Sequence, residues 1–324
     1  MKSKRFLLLA FILFLGCKAP KEPDFLLRAS LFVNEDHIWS KAFEHFGELI
    51  EDRSNGRMKL EVYHSEQLAK EIESIRLIQA NVIDMTLTGS LLSNWSDIAT
   101  FCELPYLINS DEELKQLITG PVGKRIEQAM IDETQLRPLT YFLRGPRHLT
   151  SNKPIHTPED LKGLIVRVPN VPSFVTAWAA MGAKPTPMAY SEIFTALQQG
   201  TIDAQENSFD MILNAGLQEV QKYVTLTEHV MSWSYPVIGE KQFQRLPADL
   251  QKLVLDAAID MQVYEHDLFL KNEAKIKDVL RSNGMEIIEV DKSLFAAKCE
   301  KGIYESLTSE MKEVYREIKL SQKK

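Results

Sequence analysis

Two arginines and an asparagine carry the most pointed chemistry in this sequence. Arg167 is the only polar residue in the run Leu164 to Val168, "LIVRV", where it ends an expected strand. Arg147 follows a second expected strand, 136–143, just past a turn expected at Gly145-Pro146. Asn207 closes a third, in "GTIDAQEN". A guanidinium offers a planar fork of donors that grips a carboxylate through two parallel hydrogen bonds. An asparagine amide can add one more N–H. In α/β sheets such groups at the carboxyl ends of strands face the ligand crevice. By pattern alone, an arginine near a strand end is more often a surface or salt-bridge residue than a ligand contact.

Other chemistries find little support. There is no G-x-S-x-G, H-E-x-x-H, G-x-G-x-x-G or P-loop. The 7 histidines are scattered, with none paired at metal-ligand spacing on a helix. His37 and His148 could line a site, or serve as a helix cap and a solvated ring. A formal charge of −7 without a basic run argues against nucleic acid as a partner. The expectation is a binding protein, not an enzyme, with no cofactor and no metal.

The elements needed to hold these residues alternate along 324 residues, enough for two cores. Trp39, Phe43, Phe46 and Ile50 recur at helical spacing, and Gly56 stops that helix. Met58, Leu60 and Val62 alternate with polar residues as a half-buried strand. Helix 67–82, strand 83–88 ending at Gly89-Ser90, and two helices over 111–133 follow. Thr157 and Pro158 open a short capped helix before the Arg167 strand. "VPSFVTAWAAMGA" reads as helix and "PTPM" as turn. The alternation predicts α/β units with a mainly parallel sheet. Residues 247–283 lack an internal Gly or Pro after the start, predicting one helix roughly 50 Å long. That length either spans two lobes or bends.

The N-terminus reads as an export signal. Lys2, Lys4 and Arg5 precede an apolar run, Phe6 to Leu15, too short to span a bilayer comfortably. Gly16-Cys17 then resembles a lipobox, making 1–16 a signal peptide, Cys17 the lipidated residue and 17–24 a tether. A plain secretory signal or an uncleaved anchor are the alternatives. Cys102 and Cys299 could form a disulfide or remain two buried free thiols.

The stretch 145–228 resembles the solute-binding subunit of tripartite ATP-independent periplasmic (TRAP) transporters, the DctP-like family. The pattern G-x-R-x-x-T, D-L-K-G-x-x-x-R-V-P, G-A-x-P-T-P-M, E-x-x-x-A-L-Q and D-x-Q-E-N is met almost throughout. "SNGRMKLEVY", "IDMTL", "ELPYL" and "LPADLQKLVLDAA" extend it over nearly the whole mature chain. The resemblance implies a two-lobed periplasmic-binding-protein fold, with crossing strands and a long helix spanning both lobes. The lobes would be 25–144 plus 233–272, and 145–232 plus 273–324. It implies that Arg167 grips a small organic carboxylate while Arg147 and Asn207 assist. Tyr190, Gly89, Ser90, Phe32 and Asn170 complete the expected ligand-binding set. Phe142 and Trp178 could add to an apolar wall or belong to the core. The expected partners are TRAP membrane permease subunits, and the expected place is the periplasm, on a membrane through Cys17. The alternative is an apolar or amphipathic ligand, bound in a complex with a tetratricopeptide-repeat lipoprotein. Ala69, Ala204 and Ser208 depart from the family pattern. Gly89-Ser90 stands where some sialic-acid binders carry a glutamate, which disfavours a sialic-acid-like ligand.

Overall fold

The structure, a computed structural model, describes residues 22–322. The expected signal peptide 1–16 and the expected lipidation site Cys17 lie outside these residues. In chain order the first elements are β1 (Phe25–Ser30), α1 (Ile38–Arg53), β2 (Met58–Tyr63), α2 (Glu71–Gln79) and β3 (Met85–Thr88). Next come α3 (Asp111–Thr119), α4 (Pro121–Thr134), β4 (Leu136–Pro138) and β5 (Phe142–Ser151). Then follow β6 (Ile165–Val168), α5 (Pro172–Ala180), β7 (Lys184–Pro187), α6 (Ile193–Gln198), β8 (Ala204–Asn207) and α7 (Phe209–Asn214). The chain closes with β9 (Tyr223–Gly239), α8 (Glu240–Gln244), α9 (Ala248–Ser282), β10 (Glu286–Ile288), α10 (Lys292–Ser306) and α11 (Ser309–Ser321).

The periodic signals behave as their spacing predicts. Trp39, Phe43, Phe46 and Ile50 are fully buried on one face of α1. His37 caps that helix, its Nδ1 accepting from the Trp39 N–H at 3.2 Å. Gly56 turns the chain with a φ of +74°, a conformation that a side chain would strain.

The sheet order is β2-β1-β3-β9-β5-β8-β6-β7, with β4 and β10 also pairing with β9. The wings are parallel, as the α/β alternation requires: β1 pairs β2 and β3, and β6 pairs β7 and β8. The centre is antiparallel, so the expectation of a mainly parallel sheet holds only in the wings. There β5 runs beside β9 from the Phe142–Ser234 pair to the Ser151–Tyr223 pair. These two long strands pass from one wing into the other.

Gly145-Pro146 is not the turn its composition suggests. β5 continues through it, with register shifts on both sides of Arg147. Proline has no N–H for a ladder, and a bulge is where a sheet tolerates one. Arg147 therefore lies within a strand and not beyond its end. "PTPM" likewise contributes β7, an edge strand where prolines are tolerated.

The long helix forms as expected, over 35 residues. Its first half buries Leu250, Val254, Ala257 and Met261 in the core around α1 and β1. Its last turns bury Ile276 and Leu280 in a separate core with α6 and α7. Apart from Ala257, each such side chain contributes about 1.5–3 kcal/mol on burial, so one rigid rod is fastened to two cores. Gly145 lets α9 pass close, because an added Cβ would lie 3.1 Å from the Glu273 carboxylate. The last helix reaches back across the molecule: Arg125 pairs with Glu317 at 2.6 Å, and Lys319 donates to the Leu107 carbonyl. Cys102 and Cys299 are separate buried thiols.

Candidate functional site

A cleft opens where the two wings meet. Its outer part is a cavity of about 390 Å³. A smaller recess of about 50 Å³ lies beneath it and shares Phe32, Glu71, Leu91, Arg167, Pro169 and Tyr190 with its walls. All eight residues expected from sequence reach this cleft. Arg167, Tyr190 and Phe32 line both parts. Arg147, Asn207, Gly89 and Ser90 line the recess, and Asn170 lines the outer cavity. Phe142 and Trp178 do not, being fully buried in the cores.

Arg167 projects from β6, where a lone charge in an apolar strand is 3% exposed. Its Nε and Nη2 both donate to the Met188 carbonyl, at 2.9 and 2.6 Å. Among the described residues no carboxylate pairs with it. Burial lowers its pKa from 12.5 to about 10, opposed by the field of Glu206. Desolvation disfavours the charged form of a group whose water is not replaced. A ligand carboxylate would supply what the protein does not.

Arg147 is in a different state. Its Nε and Nη2 meet Glu206 at 2.5 and 2.7 Å, and Nη2 also reaches the Glu206 carbonyl at 3.0 Å. His229 Nε2 lies 2.8 Å from the same carboxylate. Burial alone would push the Glu206 carboxyl up, but Arg147 and His229 outweigh it and hold it at about 2. Arg147 lines the recess with its fork already filled.

Two residues beside the expected ones complete the floor. Arg144 donates from Nη1 to Glu103 at 2.6 Å and from Nη2 to the Asn207 Oδ1 at 2.9 Å. This leaves the Asn207 amide N–H free to face the recess. Ser90 donates to the other Glu103 oxygen. Glu71, at the start of α2, accepts from the Thr88 hydroxyl at 3.0 Å and from no other side chain among the described residues. Burial raises its pKa to about 7, against the pull of Thr88 and Arg144.

Sequence reasoning passed over Arg144, Glu103 and Glu71. Glu103 did carry a signal, since "TFCELPYL" sets one carboxylate in an apolar run, as Arg167 sets one guanidinium. Arg144 was masked by its neighbour across the Gly-Pro pair. Glu71 heads an ordinary amphipathic helix and carried none.

The cleft walls touch across the opening. Lys70 pairs with Glu192 at 2.7 Å, Asn94 donates to the Asn170 carbonyl at 3.0 Å, and the Phe32 and Tyr190 rings meet edge-on at 5.8 Å. Tyr190 turns its hydroxyl into the wall, donating to the Met211 carbonyl at 2.7 Å. Below, His37 and Asp210 approach to 3.3 Å. Among the described residues no group of three or more His, Cys, Asp or Glu could hold a metal ion.

Two lobes, a continuous hinge and a charged cleft between them define a binding protein that encloses a small solute. The chain matches the model of the bacterial extracellular solute-binding protein family 7, DctP, over residues 29–317, and it belongs to that family. A solute-binding protein of Roseobacter denitrificans is 41% identical over 300 residues, 93% of this chain and 92% of that one. A crystal structure of a TRAP periplasmic solute-binding protein from Roseobacter denitrificans with bound L-galactonate matches at TM-score 0.90 and 41% identity, covering 92% and 99% of the two chains. A Haemophilus influenzae counterpart with bound L-gulonate matches at TM-score 0.85 and 31% identity, covering 91% and 99%. The protein is a TRAP-type solute-binding receptor and not an enzyme, and relatives of known structure hold small organic acids.

Proposed function

We propose that the ligand is a six-carbon sugar acid, held by its carboxylate on Arg167 and by its hydroxyls on the recess. The observation that carries this is the buried, carboxylate-free Arg167 facing a cavity of about 390 Å³. That volume suits a small molecule, since such sites begin at about 300 Å³. Asn207 offers an N–H, while Ser90, Glu71 and Glu103 offer acceptors for hydroxyl groups. Two of the structural relatives hold L-galactonate and L-gulonate, which have this chemistry.

The lobes 25–144 plus 233–272, and 145–232 plus 273–324, would close about β5, β9 and α9. Lys70–Glu192 and Asn94–Asn170 then act as contacts of the closed form. A ligand favours closure only by binding the shut form more tightly. Arg167 on one lobe and Glu71 on the other supply that difference, because only the shut cleft presents both. The closed receptor would deliver its ligand to a TRAP membrane permease, tethered at the membrane through lipidated Cys17. Among the described residues no helix is long and apolar enough to cross a membrane itself.

The test is native mass spectrometry of residues 24–324 purified without added ligand, with fragmentation of whatever is released. A sugar acid lost in Arg167→Ala supports the reading. An apolar molecule retained by that variant refutes it.

A further inference from the structure

The cleft is unusual in what its charges leave over. Arg144 is paired with Glu103, although its buried Nε has no partner among the described residues, Arg147 is paired with Glu206, and Lys70 with Glu192. Arg167 is the one lining cation among the described residues without a carboxylate partner. The unpaired lining groups that remain are all acidic: Glu71 reaches both parts of the cleft, and Glu66 and Glu73 line the outer part. None of the three makes an ion pair among the described residues. The cleft therefore offers a ligand carboxylate one cation that has no carboxylate of its own.

We infer that Glu71 is a specificity residue, which accepts a hydroxyl from the far end of the ligand and turns away any ligand with a second carboxylate there. The inference rests on the sugar-acid reading and narrows it to monocarboxylates. Glu71 stands on α2 across the cavity from Arg167 on β6, so a ligand anchored at one extends toward the other. Its carboxyl has one partner, the Thr88 hydroxyl, and keeps acceptor capacity for a ligand O–H. A hydrogen bond to an ionised acceptor is among the stronger ones. A carboxylate at the same point would have no donor and would face Glu71 with Glu103 beyond it. Rejecting a competitor by an unpaired like charge is a recognised route to specificity.

The groups facing Glu71 are few. Thr88 comes from β3, Glu103 and Arg144 from the floor, and Glu66 from the segment before α2. Arg167, Tyr190 and Glu192 look toward it across the cavity. Of these carboxyls, burial pushes Glu71 up to about 7 and raises Glu66, against the pull of Ser191 and Lys70.

The experiment is calorimetric titration with L-galactonate and with galactarate, which differs by a terminal carboxylate in place of CH₂OH. At pH 8 the wild type should bind galactarate at least about 50-fold more weakly, a gap typical of one rejected charge. Glu71→Gln should shrink that gap below about fivefold, chiefly through tighter galactarate. Wild-type protein at pH 5.5 should show the same narrowing without any substitution, so a variant that fails to fold does not remove the test. Equal affinities in the wild type, or a gap unmoved by both the substitution and the pH, overturn the inference and leave the sugar-acid reading standing. No binding of galactonate or any other monocarboxylate overturns both.

Discussion

Replacing Arg167 separates a ligand clamp from a structural residue, because the two predict opposite effects on the empty protein. The guanidinium is 3% exposed, and burial lowers its pKa from 12.5 to about 10. At about 1.4 kcal/mol for each tenfold, that depression corresponds to roughly 3 kcal/mol held against the charged form. A ligand carboxylate would relieve much of it and add two charge-assisted hydrogen bonds. Truncating one partner of a buried, hydrogen-bonded charge pair weakens binding by about 2–5 kcal/mol. Arg167→Met should therefore weaken L-galactonate binding by about 30-fold to several thousand-fold in titration calorimetry. The empty variant should melt no lower than the wild type. It loses two bonds to the Met188 carbonyl but also loses an uncompensated cation. An affinity within threefold of wild type would refute the clamp. A fall in melting temperature of many degrees without ligand would show that Arg167 holds the fold.

Arg147→Ala should behave in the reverse way. It leaves the buried Glu206 carboxylate with only His229 beside it, and breaking such a buried pair destabilises by up to about 3–5 kcal/mol, so the urea midpoint should drop accordingly; an unchanged midpoint would contradict the pairing. The same pair sets an acid limit. Glu206 is depressed to about 2, so its stabilisation is complete above the ordinary carboxylate range and is lost as pH falls from about 4.5 toward 2; stability flat across that window would refute it. At the cleft mouth, Lys70 and Glu192 are both about half exposed. Lys70→Ala should weaken ligand binding by no more than about fivefold, and 1 M salt should erase the difference. Cys102 and Cys299 are buried, with the Cys299 thiol pushed up to about 12 and Cys102 raised further. Neither should react with a thiol reagent in the native body, and both should react in urea; fast native labelling would contradict their placement.

Much of the site was legible because the same contradiction marks its residues. A charge inside an apolar strand needs a reason, and Arg167 in "LIVRV" offers no local one. Short-range signals likewise placed α1, α9 and the strand end at Asn207, since each depends on residues a few positions apart. The misreadings came from contacts distant in sequence. Gly145-Pro146 reads as a turn until β9, more than 80 residues later, pairs across it and makes it a bulge. Arg147 was consequently set beyond a strand end, and its pairing with Glu206 was invisible. Glu71 and Arg144 acquire meaning only when α2, β3, β5 and β8 converge. No periodicity announces that convergence.

Arg147 and Arg167 divide one task that neither could perform alone. A carboxylate ligand needs a positive site that is dry and aimed, but a dry unpaired cation opposes folding. Arg147 meets the folding requirement by spending its fork on Glu206, which is itself fixed by His229. That cluster ties β5, β8 and β9 at the point where the chain crosses between lobes. Arg167 rests on the strand beside it, β6, and is left with only a carbonyl for company. Its charge is affordable because a single group is exposed to the deficit and the closed cleft is where the deficit can be met. Pairing Arg167 internally would stabilise the empty receptor and abolish the difference between open and shut that a ligand must exploit. Leaving both arginines unpaired would double the opposition to folding and admit dicarboxylates. A paired Arg147 beside an unpaired Arg167 is the arrangement that binds a carboxylate while keeping the hinge intact.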